Sequence, residues 1–188
     1  MPTDPAAPRP PAASLAGESK IEIQKSKIQR VLAYRLLLGL ALGILIADQL
    51  TKAWIAHRLP FGTYGEAAGA IRVIGNFFHL VHVGNTGSAW SMFTGQSVLL
   101  ALLAAGTLVA IFFWRRALGL RETHAQICFG LLCGGIVGNL TDRLLHGHVI
   151  DFIDLHFGSY TYPTFNVADS GICVGVILYL WQSLRARN

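Results

Sequence analysis

The chain has 188 residues, of which 53% are hydrophobic and only 13% charged, and its formal net charge is +5. This is too apolar for an ordinary soluble domain and too long for a single-span anchor, so the composition points to a small multi-span membrane protein. The basic excess does not alternate with aromatic residues along a groove, which excludes a nucleic-acid-binding reading.

Five prolines fall in the first eleven positions among Ala, Ser and Gly. Such a composition cannot bury a core, so residues 1–30 are expected to form a disordered Pro/Ala-rich and then basic cytoplasmic tail. The apolar run that follows begins too late for a signal peptide and leads into DQLTKAW, with no small-residue cleavage site; the first span is expected to stay in the mature protein. Crossing a hydrocarbon core takes about 20 apolar residues. Four stretches qualify, at about 31–52, 97–114, 125–145 and 165–184, giving an all-α four-helix transmembrane bundle within a single domain over 31–184, followed by a basic end at 185–188.

Eleven of the Lys and Arg residues lie at the termini and in the second connection (Arg115, Arg116, Arg121), against Lys52, Arg58, Arg72 and Arg143 elsewhere. The positive-inside rule then places both termini in the cytoplasm. Cys128, Cys133 and Cys173 fall within spans, odd in number and without CxxC spacing, as expected of small packing residues.

Between the first two spans, about 55–96, the segment IRVIGNFFHLVHV is β-branched and aromatic, with Gly75-Asn76 as turn punctuation. It predicts a small extracytoplasmic β-sheet, with Phe77, Phe78, Trp90 and Phe93 near the lipid headgroups. The third span carries Gly130, Gly134 and Gly138, and the fourth Gly171 and Gly175. Packing these two small-residue ridges on each other is expected to join the motifs GNLTDRLLHGHVIDFID (138–154) and FNVADS (165–170).

Those motifs place Asp142, Asp151, Asp154 and Asp169 near one membrane surface. Two carboxylates sharing a site cannot both ionise cheaply, so one stays protonated and the pair offers an acid and a base together. Such a pair can activate water against a peptide carbonyl without a covalent intermediate. Asn139 and Asn166 each stand three residues before an aspartate, on the same helical face. The competing structural reading makes Asn166 or Asp169 a helix cap and Asp142 and Arg143 snorkelling interfacial groups. Asp48 and Lys52 have i,i+4 spacing, compatible with a helix-end ion pair or a substrate contact.

His146, His148 and His156 surround Asp151 and Asp154, but HExxH is absent and the spacing matches no ligand set, so no metal is expected. Ser170-Gly171 does not supply a serine-nucleophile loop. A rival class is a small transporter or proton-relay subunit using Asp48, Asp142, Asp151 and Asp169, but a relay staggers its ionisable groups through the bilayer, and here they cluster at one edge.

Taken in order, DQLTK (48–52), NTGSAWS (85–91), GNLTDR (138–143), VIDFID (149–154) and FNVADS (165–170) resemble the bacterial lipoprotein signal peptidase family, also called signal peptidase II, from the first span to the last. The resemblance implies a cofactor-free aspartic endopeptidase of the bacterial cytoplasmic (inner) membrane, active at the extracytoplasmic interface. It would remove signal peptides from prolipoproteins by cutting before a diacylglyceryl-modified lipobox cysteine. It further implies contact with membrane phospholipids, sensitivity to globomycin-type peptide inhibitors and a monomeric state. By motif, Asp151 and Asp169 would be catalytic; Asn139, Asp142, Arg143, Asn166 and Ala168 would support the site; and Asp48, Lys52, Asn85 and Gly87 would help hold the signal peptide or position the sheet. Asp142 shares the Asn-x-x-Asp form of Asp169 and is the alternative second carboxylate. The departures from the family pattern are the long N-terminus and Gly84, which is expected to loosen the loop over the substrate.

Overall fold

The structure is a computed structural model and describes residues 31–88 and 92–185. The expected N-terminal tail, Trp90 and residues 186–188 of the basic end lie outside the described residues. In chain order the elements are helix α1 (Arg35–Arg58), strands β1 (Ile71–Ile74) and β2 (Phe78–Asn85), helices α2 (Ser97–Trp114) and α3 (Thr123–His146), strands β3 (Val149–Phe157) and β4 (Tyr160–Thr161), and helix α4 (Val167–Arg185). All four helices are long and apolar enough to cross a membrane. On α2 only Ala101 is buried, while Val98, Leu102, Phe112 and Phe113 are exposed. So much apolar surface is stable against lipid and not against water, as in a multi-pass membrane protein.

Helix α3 is the central one, and its glycines explain why. A Cβ on Gly130 would sit 2.8 Å from the Leu40 Cβ, and one on Gly134 would sit 2.6 Å from the Ala41 carbonyl oxygen, so this ridge receives α1. The expected packing of α3 on α4 is present, but of this ridge only Gly138 takes part in it, its Cβ position lying 3.2 Å from the Ala168 Cβ; Gly130 and Gly134 meet α1. Helix α4 also packs through Gly175, whose Cβ would lie 2.6 Å from the Cys128 carbonyl oxygen, and over Gly135, where a Cβ would run into the carbonyl oxygen of Ala168. With α1 on one side and α4 on the other, backbone contact at glycine distance fixes all three helices.

The strands form one antiparallel sheet in the order β1-β2-β3-β4. Gly75, at φ 42°, turns β1 into β2, as its sequence punctuation suggests. The connection between the first two spans supplies only β1 and β2, however; β3 and β4 come from between the third and fourth. Gly147 ends α3 in the left-handed conformation (φ 76°), its N–H donating to the Arg143 carbonyl, and VIDFIDLHF then runs on as a strand, β-branched and aromatic enough for the role. The sheet therefore ties two separate connections together. Its underside joins the helices through a core of Ile55, Leu59 and Phe152, with Leu80, Ile153 and Val167 packed against them.

Candidate active site

The C-terminal ends of α1 and α3, the end of β2, the start of β3 and the N-terminus of α4 converge on one cluster of polar side chains. Helix α4 opens with a reciprocal cap: Asn166 Oδ1 accepts the Asp169 N–H (2.9 Å), and Asp169 Oδ2 accepts the Asn166 N–H (3.2 Å). Both are capping residues, as the structural reading of the sequence holds, and the cap is also what turns Asp169 toward β3. Asp48 reaches from α1 to take the Ala168 N–H at 2.9 Å. Two carboxylates thus sit on the positive end of the α4 dipole.

Three asparagines set the chemistry of the cluster. Asn139 Oδ1 accepts from Lys52 Nζ at 3.0 Å, and an ammonium can only donate, so the Asn139 amide must turn its NH2 to Asp169 Oδ1, at 2.7 Å. Asn166 Oδ1 is pinned by the Asp169 N–H, so its NH2 faces Asp151 Oδ1 at 2.7 Å. Asn85 Oδ1 is pinned by the Gly87 N–H at 2.9 Å, and its NH2 donates to Asp151 Oδ2 at 3.0 Å. Each amide oxygen is claimed by an obligatory donor, and each amide nitrogen points at Asp151 or Asp169.

Beneath this pair lies a buried charge cluster. Lys52, 2% exposed, places Nζ 2.8 Å from both Asp48 Oδ2 and Asp142 Oδ2. With Asn139 this uses all three ammonium protons. Asp142 also accepts from Gln49 Nε2 (2.9 Å) and the Ile150 N–H (3.1 Å). Its partner is therefore Lys52 and not the neighbouring Arg143, whose Nη2 donates instead to the Gly87 carbonyl oxygen at 2.9 Å. Gly87 is itself tight: a Cβ there would lie 2.6 Å from the Met92 carbonyl oxygen. Gly84, expected to loosen its loop, lies within β2, where a Cβ would meet the rings of His148 (2.7 Å) and Phe61 (2.8 Å).

Asp151 is 1% exposed, and its pKa is raised from 3.8 to about 7, first by burial and then by the charge of Asp169; the Asn85 and Asn166 amides and the Lys52 charge partly offset this. It is a carboxyl group poised to exchange a proton near neutrality.

Three comparisons place the chain in a family. The family model described as Signal peptidase (SPase) II matches residues 40–185. The chain belongs to the signal peptidase II family. The lipoprotein signal peptidase of Teredinibacter turnerae is 39% identical over 150 residues, covering 78% of this chain and 85% of the relative. That of Bacillus subtilis is 34% identical over 145 residues, covering 77% and 90%. A solved bacterial membrane enzyme, determined by the in meso method at 2.3 Å resolution, superimposes with a TM-score of 0.73 at 30% identity, covering 81% of this chain and 89% of that one.

The chain is thus a membrane peptidase of the signal peptidase II family. Of the residues named from sequence, Asp48, Lys52, Asn85, Asn139, Asp142, Asp151, Asn166, Ala168 and Asp169 fall into one hydrogen-bonded cluster, with Arg143 and Gly87 at its rim. Asp154 does not join them: strand alternation sets it on the other face of β3 from Asp151. Gln49, which bridges Asp48 (3.2 Å) and Asp142, has no counterpart in the sequence reading, although it stands inside DQLTK beside a residue already singled out.

Proposed function

We propose that this signal peptidase II acts as an aspartic endopeptidase, removing signal peptides from prolipoproteins by cleaving before a diacylglyceryl-modified cysteine, with Asp151 and Asp169 as its catalytic pair. The observation that carries this reading is the set of three polarised asparagines, which aim amide donors at these two carboxylates and at no other. Asp142 is engaged by Lys52, Gln49 and a backbone amide and receives none of the three asparagine amides, which suits a supporting residue.

The two carboxyl groups share one proton, held by Asp151. Asp169 takes a proton from water as its oxygen attacks the scissile carbonyl carbon, while Asp151 gives its proton to the carbonyl oxygen, forming a gem-diol. The diol then returns a proton to Asp151 as the C–N bond breaks, and Asp169 passes its own to the departing amine. The asparagine amides hold both carboxylates in place throughout, and no metal or cofactor takes part.

Asp48 and Lys52 are taken up by each other, by Asp142, by the Asn139 amide oxygen and by the Ala168 N–H, which suits support and not substrate binding. Their part is to hold the α4 N-terminus and the asparagine network beneath the pair; Asn85 and Gly87 bring β2 up to it. The polar cluster gathers at one end of the apolar helices and favours hydrolysis at an interface over a relay through the bilayer. In this reading the sheet and the pair lie at the extracytoplasmic face of the inner membrane, both termini are cytoplasmic, the substrate enters laterally among phospholipids, globomycin-type peptides inhibit, and the enzyme is monomeric. The test is cleavage by the purified protein of one prolipoprotein with and without its diacylglyceryl group. Cleavage before the cysteine of the lipidated form alone supports the proposal; cleavage of neither form, or of both equally, overturns it.

A further inference from the structure

On the opposite face of the sheet stands a second cluster that the peptidase reading does not use. His79 on β2 is the register partner of Asp154 on β3, and His156 lies two residues further along β3 on the same face. One potential ligand atom from each of the three lies within 4.8 Å of the others. Asp154 is 1% and His79 7% exposed, yet Asp154 Oδ1 and His79 Nδ1 have no hydrogen-bond partner among the described residues. Two enclosed polar atoms without partners, in one small cluster, are costly unless something binds them.

The outward contacts of the two histidines narrow the choice. His79 Nε2 stands 3.4 Å from Glu66 Oε1, and Glu66 is held in turn by Arg72 Nε at 3.1 Å. His156 Nδ1 lies 3.3 Å from Thr161 Oγ1 on β4, while its Nε2 turns to Asp154 Oδ2 at 2.7 Å. Each imidazole therefore has one nitrogen engaged by an outer oxygen and the other left for the cluster. Histidine ligands of metals are oriented in this way, the second ring nitrogen being tied to a carboxylate or a neighbouring oxygen.

We propose that His79, Asp154 and His156 form a binding site for a zinc-class divalent cation, with His79 Nδ1, His156 Nε2 and the Asp154 carboxylate as ligands and water in the fourth position. Two imidazoles with one carboxylate suit zinc and do not suit magnesium or calcium, which prefer all-oxygen shells. Tetrahedral ligands about 2.0–2.1 Å from zinc lie roughly 3.3 Å apart, so no pair has to close by more than roughly 1.5 Å. The ion would clamp β2 to β3 and, through Thr161 and Glu66, fasten β4 and the turn at Glu66–Ala68 to them. Those strands carry Asn85 and Asp151 on their other parts, but the site itself touches neither.

The test uses the full chain in detergent, without a histidine tag and stripped of metal, titrated with Zn2+ by calorimetry and followed by thermal unfolding. The wild type is expected to bind a single zinc ion saturably and to unfold at a higher temperature with it, while Mg2+ gives no shift. His156→Gln, at a side chain 29% exposed, is expected to lose that binding, and Glu66→Gln, at one 49% exposed, to weaken it by about 10-fold. The pair His146→Ala and His148→Ala should leave it unchanged. Absence of saturable binding by the folded wild type, zinc binding unaltered in both Glu66→Gln and His156→Gln, or loss of binding on replacing His146 and His148 would each overturn the proposal.

Discussion

Replacing Lys52 with methionine removes the one cation of the buried cluster while nearly preserving its volume. In the native fold Nζ lies 2.8 Å from both Asp48 and Asp142, all three side chains are at most 2% exposed, and Nζ also holds the Asn139 amide oxygen. Without it two enclosed carboxylates face each other, with Gln49 and the amides of Ala168 and Ile150 as the remaining donors among the described residues. Breaking a buried ion pair from one side costs about 3–5 kcal/mol. For a chain of this size that lowers Tm by roughly 10 °C. The Asn139 amide also loses the donor that fixes its orientation, so turnover should fall beyond what unfolding explains. Thermal unfolding in detergent, with peptidase activity measured well below Tm, reads both effects. Adding Asp48→Asn to Lys52→Met restores the original net charge of the cluster and should recover part of the lost stability, but not the activity. A Tm for Lys52→Met within about 2 °C of wild type would refute the reasoning, because the three charges would then not be balancing one another.

Asn85→Ala removes an amide that holds the Asp151 pKa down; the alkaline limb of kcat/KM should move up by about one pH unit, and a downward shift would contradict the assigned contact. Because Asp151 titrates at about 7 in the fold against its ordinary value of 3.8, the folded protein binds more protons between those values, and stability falls as pH rises through that window. Relative to Asp151→Asn, wild-type stability should therefore decline between about pH 4 and 7, by up to the order of 4 kcal/mol, as followed by thermal unfolding at each pH. Gly135→Ala drives a methyl group into the Ala168 carbonyl oxygen and should cost about 1–3 kcal/mol together with activity, since it displaces the α4 N-terminus. Gly106→Ala on α2, where a Cβ meets nothing within 4 Å, should not destabilise.

The four apolar helices were legible because about 20 consecutive apolar residues have few other uses. The strand β3 was not: VIDFIDLHF falls between the expected third and fourth spans with no element assigned to it, and its pairing with β2 joins residues about seventy positions apart, which local periodicity does not encode. The glycine ridges announced close packing, but the spacing of Gly130, Gly134 and Gly138 does not say which helix comes near. Gly135, one position round the helix, meets the α4 backbone at Ala168, while Gly130 and Gly134 meet α1. For the site, the motifs carried residue identities, whereas the direction of each amide came only from its neighbours. Asn139 cannot be known to face Asp169 until Lys52 is seen behind it. Lys52 and Asp142 illustrate the same limit, since adjacency in sequence suggested Arg143 as the partner and burial selected a lysine from another helix.

The most direct test of the account is cleavage of a diacylglyceryl-modified prolipoprotein by purified wild type, Asp151→Asn, Asp169→Asn and Asp142→Asn, each checked for folding by thermal unfolding in detergent. With Asp151 and Asp169 as the catalytic pair, both of their variants fold and cleave nothing, while Asp142→Asn, though less stable, retains measurable turnover. Turnover by folded Asp151→Asn alongside a folded but inactive Asp142→Asn would contradict the account and move the second carboxylate to Asp142.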